Sequence, residues 1–169
     1  MPFDDFTLTT YREPEFHLSR GAHWERKDGV CVLEAALERA GFPHQRVTDA
    51  EEMPHAFSRV LCDYAMALND ALPDDLRTLL LEPYTRRLFG TGADSDIERK
   101  RLKFIWEAIF RRILLEKPEE TLVFVDLVCG IACSRHPRKW ELAVEILDDA
   151  AAIGKQSRKG HRNSLSDLD

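Results

Sequence analysis

Apolar residues recur at every third or fourth position through most of this chain, and prolines cut the pattern into segments. Such a period places the oily side chains on one stripe of an α-helix. In "DGVCVLEAALERAG", Val30, Leu33, Leu37 and Ala40 share a stripe, and Gly41 stands where a helix-ending left-handed residue is expected. Phe57, Leu61, Tyr64, Leu68 and Leu72 repeat the pattern after "TDAE", which predicts a cap at Thr48 and a helix opening at Pro54. The next segment opens at Pro73 and Asp74 and must kink or break near Leu81, because Pro83 has no amide hydrogen to donate.

"SDIE" from Ser95 predicts a capping box in which Ser95 and Glu98 satisfy each other's amides. The helix that follows carries Leu102, Ile105, Trp106, Ile109, Phe110, Ile113 and Leu114. A face this wide is expected to touch two neighbours, which makes it the predicted central helix. Within "PEETLVFVDLVCGIACSRH", residues 122–128 are β-branched enough for a strand. Length and the small residues Gly130, Ala132 and Cys133 favour a closely packed helix. A last helix is expected from Pro137, with Trp140, Ile146 and Leu147 inward and Gly154 at its end.

The expected fold is therefore all-α: one domain, a bundle of six to seven helices over residues 28–154. Residues 1–27 show no helical period and read as an irregular arm whose aromatics pack on the body. Residues 155–169, "KQSRKGHRNSLSDLD", are polar and aperiodic and read as a disordered tail. The 169 residues, 44% of them hydrophobic, suffice for one core. Four cysteines, no basic-then-apolar leader in "MPFDDFTLTT" and no long apolar run predict a cytoplasmic protein with free thiols and no membrane contact.

Part of the chain resembles a known family. Cys31 and Glu34 in a C-x-x-E helix, Leu68-Asn69-Asp70 at a helix end, and Arg77, Leu80, Pro83, Leu88, Gly90 and Thr91 in an R-x-x-L-x-P…L-x-G-T block carry the likeness. It is to an uncharacterised helical family of actinobacterial and phage genomes, and it spans about residues 28–115. The chain departs from that pattern after Gly41, where "QRVTDAEEMPH" lacks a second cysteine. The resemblance implies an all-α fold and a mobile-element origin, and implies no activity.

Few residues carry chemistry. Cys129, Cys133 and His136 in "CGIACSRH" have the ligand types of a zinc or iron–sulfur site, and they lack a fourth ligand nearby in sequence. The ordinary reading is that both thiols fill a close helix contact. Glu13, Glu15, His17, His23 and Glu25, with Glu34, offer acid–base groups, but read first as a solvated charged arm. Asn69, Asp70, Asp74 and Asp75 can ligate a cation or cap helices, and capping is favoured.

Residues 95–117 hold seven cations against four carboxylates, flanked by Arg86 and Arg87. A net charge of −6 nonetheless makes nucleic acid an unlikely partner by simple repulsion. No phosphate-binding loop, dinucleotide glycine pattern, G-x-S-x-G or H-E-x-x-H is present. Ser134 and His136, two apart, make a poor dyad. The sequence thus points to a non-enzymatic interaction protein without a cofactor, whose partner is another protein or its own copy. Phe16, Trp24 and Trp106 are its candidate anchors, and metal binding through Cys129, Cys133 and His136 is the rival reading.

Overall fold

The computed structural model describes residues 16–114 and 124–155. The arm before Phe16, the segment 115–123 and the expected tail after Lys155 lie outside the described residues. Among the described residues seven α-helices occur: α1 (Val32–Arg39), α2 (Arg59–Ala71), α3 (Asp74–Leu81), α4 (Tyr84–Arg87), α5 (Ser95–Ile109), α6 (Phe124–Cys133) and α7 (Lys139–Ala152). A wide turn, Phe110–Leu114, extends α5, and short 3-10 turns lie at Arg26–Asp28 and Ala50–Glu52. Among the described residues no strand forms, only a single antiparallel bridge between Phe57 and Phe89. The fold is all-α, and no described helix is long and apolar enough to cross a membrane.

Helix ends show how local chemistry sets the boundaries. The α1 amides are capped by the Cys31 thiol, which accepts from the Glu34 N–H, while the Glu34 carboxylate accepts from the Cys31 N–H. At the other end Gly41 takes a φ of 87°, and Phe42 and Gly41 donate back to the carbonyls of Leu37 and Glu38. Pro83 divides α3 from α4 as expected. Residues 124–133 choose helix over strand, with Leu127, Val128 and Ile131 buried.

Three boundaries differ from expectation. Helix α2 starts at Arg59, not Pro54, because the Ser58 hydroxyl accepts from Leu61 N–H while the backbone of Phe57 pairs with Phe89. Asp49 caps only the 3-10 turn that follows it. The Ser95 capping box does not form. Asp94, one residue earlier, accepts from the amides of Asp96 and Ile97, and Glu98 turns instead to Ser58, Val60 and Arg101.

The central helix is also not the one expected. Helix α2 touches α1, α3, α5, α6 and α7, and buries Leu61, Tyr64, Ala65, Leu68 and Asn69. Helix α5 buries Ile105, Ala108 and Ile109, but leaves Leu102 exposed and Trp106 and Phe110 only half-covered. The breadth of its apolar face therefore exceeds what its neighbours cover. The Tyr64 hydroxyl donates to the Ala143 carbonyl of α7, so even the middle of the bundle holds a satisfied polar contact.

Candidate functional site

The best-built polar centre lies where the arm meets α1. Glu34 is fully buried, and its carboxylate accepts from three main-chain amides: His23 at 2.7 Å, Cys31 at 2.9 Å and Val47 at 3.3 Å. His23 Nδ1 lies 3.0 Å from its second oxygen. One turn along α1, Glu38 meets His44 Nδ1 at 2.8 Å, and His44 Nε2 reaches the His23 carbonyl. The residues read from sequence as a solvated arm thus include a half-buried histidine bonded to a fully buried carboxylate. A buried carboxylate needs such donors, and here two separate loops supply them.

Asn69, Asp70 and Arg77 form the rest of this network. Asn69 accepts from the Val32 N–H and donates to the Ser19 carbonyl. Arg77, also buried, donates to the carbonyls of Asn69 and Leu72 and to Asp74. Asp70 accepts from the Gly21 amide. Each of these side chains bonds to backbone, and together they tie the arm to α1, α2 and α3. Asn69 is therefore not a helix-end cap but a tie between chain segments.

A second feature was not legible as a site. Phe57 is buried between Phe42 and Phe89, with ring centroids 6.5 and 5.5 Å away. Phe42 stays 38% exposed and Phe89 50% exposed. The backbone beneath them is cross-linked: Gly92 donates to Ala56 O, Ser58 donates to the Thr91 hydroxyl, and that hydroxyl donates to Leu88 O. Arg101 completes the platform. Its guanidinium is buried and donates to the carbonyls of Thr91 and Ile153 and to Glu98. Read from sequence as part of a basic face, it is a structural tie.

Five other cations of that face are matched, and Lys117 lies outside the described residues. Arg99 pairs with Asp96, Lys103 and Arg111 with Glu107, Arg112 with Asp149, and Arg87 with Asp148. A groove of about 200 Å³ runs beside Thr91, Asp94, Ile97, Arg101, Gly154 and Lys155. Asp94, Arg101 and Lys155 are the charged residues of its lining.

The anchors and ligands expected from sequence are placed variously. Phe16 is buried, held between the guanidinium groups of Arg26 and Arg39 at 4.9 and 5.0 Å, so it anchors the arm to its own body. Trp24 is 77% exposed under Arg46, and Trp106 is half-buried with its ring 5.7 Å from Phe110.

Cys129 and Cys133 are exposed, which corrects the expectation that they fill a helix contact: Leu127, Val128 and Ile131 take the inward positions of α6. His136 lies past the helix end, where its Nδ1 accepts from Arg138 N–H. Among the described residues no three histidine, cysteine or acidic side chains gather closely enough to hold a metal. Ser134 donates to the Ile113 carbonyl, and its oxygen accepts from His136 N–H. Cys31 and Cys62 are the space-filling thiols, both buried, and burial pushes each up to about 12. Comparison with family models, with curated proteins and with solved structures finds no match to this chain.

Proposed function

We propose that the chain is a helical protein-interaction module that presents the Phe42–Phe57–Phe89 row to another protein. The observation that carries this reading is the pairing of half-exposed rings with a stitched backbone. Surface aromatics on a mobile loop would lose freedom on binding, at about 0.5–1.5 kcal/mol per side chain. Here the helix-ending turn at Gly41 and the Phe57–Phe89 bridge have already fixed the rings. Covering a half-exposed phenylalanine returns on the order of 1 kcal/mol by area alone, and rigid aromatics are frequent anchors of interfaces.

Phe42 and Phe89 thus replace Phe16 as anchors, while Trp24 remains available on the arm. The cytoplasmic setting and the phage or actinobacterial origin belong to the same proposal. The first rests on the cysteines and the apolar pattern of the sequence, the second on the sequence resemblance alone.

The test uses the full chain, immobilised, with lysate passed over it. The wild type is expected to retain a defined partner that Phe42→Ser/Phe89→Ser loses, with the circular dichroism of the two proteins equal. Equal retention by both, or retention of nothing, overturns the assignment.

A further inference from the structure

We propose that the exposed face of α6 is half of a soft-metal site, completed by the same face of a second copy of the chain. The four cysteines fall into two classes. Cys31 and Cys62 are buried in the core, whereas Cys129 and Cys133 are free and exposed, one helical turn apart. Surface thiols are uncommon, because cysteine is among the most buried residue types. The helix cannot rotate to take them in, since Leu127, Val128 and Ile131 are fixed against the core. On the same side of the argument, Gly130 sits against Leu114, where an added Cβ would lie 3.3 Å from its methyl carbon.

Spacing decides what such a pair does. Residues four apart on a helix hold their Cβ atoms about 5–6 Å apart. A disulfide needs about 3.5–4.5 Å, so the pair does not close on itself while the helix is intact. A tetrahedral zinc ion with bonds of about 2.3 Å needs sulfurs about 3.8 Å apart, which two side chains can reach by leaning together. Among the described residues one copy supplies these two ligands and no third within reach, and His136 Nδ1 is turned to the Arg138 amide. A structural soft-metal site takes four. A two-fold-related copy presents the identical pair and closes the coordination without any new residue.

Cations adjacent in sequence also temper the charge. Four thiolates around a divalent cation leave an excess of two negative charges. Arg135 is exposed two residues beyond Cys133, and the Lys139 amine bonds to the carbonyls of Ala132 and Ser134, beside the same thiol. Binding involves no redox step: four S–H bonds lose their protons to solvent and four metal–sulfur bonds form.

The experiment titrates the reduced full chain with cobalt(II), displaces it with zinc(II), and follows both thiolate-to-cobalt absorption and mass by light scattering. Expected are the tetrahedral thiolate spectrum, saturation at one metal per two chains and a doubling of mass reversed by a chelator. Cys129→Ser and Cys133→Ser should each abolish the spectrum, with circular dichroism unchanged because both positions are exposed, and His136→Gln should retain it. Absence of binding, saturation at one metal per chain without a mass change, survival of the spectrum in Cys133→Ser, or its loss in His136→Gln would each overturn the proposal. The ring row lies on other elements, so Phe42→Ser/Phe89→Ser should bind metal normally, and failure of one reading leaves the other standing.

Discussion

Glu34 shows most clearly what a single residue contributes. Its carboxylate takes hydrogen bonds from loops that enter from both sides of α1, and it has no access to water. Truncating it leaves several donors buried and unpaired, so Glu34→Ala should cost about 3–5 kcal/mol in urea denaturation. Arg99→Ala, which breaks an ion pair open to solvent on both sides, should cost less than about 1 kcal/mol. If the two variants lose similar stability, the buried network is not what holds the arm. The sequence could not distinguish these cases, because the neighbours of Glu34 on α1 are apolar and none of them names the donors that its carboxylate meets. What fixes its role is contact with His23 and Val47, eleven and thirteen positions away, and no local pattern encodes that.

At the scale of the element, the helices were legible and their ends less so. Period alone located α1, α2, α5 and α7, and Pro83 located the break between α3 and α4. Boundaries failed where a side chain satisfied a distant partner. Glu98 left its own helix start to bond Ser58 and Val60, and Asp94 took over as cap. Phe57 left the helical register to pair with Phe89. The turn that makes this pairing possible depends on Gly92, where a Cβ would lie 2.0 Å from the His55 carbonyl oxygen. Gly92→Ala should therefore push residues 54–58 and 88–92 apart, at a cost of about 1–3 kcal/mol in thermal or chemical denaturation. Loss of partner retention should accompany it, while metal binding on α6 persists. An alanine variant as stable as the wild type would show that the two turns are not packed as described.

The whole molecule is a bundle gathered around α2, with its polar residues used as ties and its unusual residues on the outside. That division explains why the candidate sites were partly misread. Periodicity reports which face of a helix is apolar, not whether a neighbour covers it, so the exposed edge of α5 and the half-open rings of Phe42 and Phe89 carried no signal. The same limit applied to thiols: Cys31 and Cys62 fill space, whereas Cys129 and Cys133 face solvent, and composition treats all four alike. The arm and the ring-bearing turns are as firmly built as the helices they join, because buried side chains bond their backbones. Amide hydrogen exchange of the full chain tests this most directly. The amides of Leu18, Ser19, His23, Val47, Ser58 and Gly92 should be protected over the same hours as those of α2, and exchange at those six positions within seconds while α2 stays protected would contradict it.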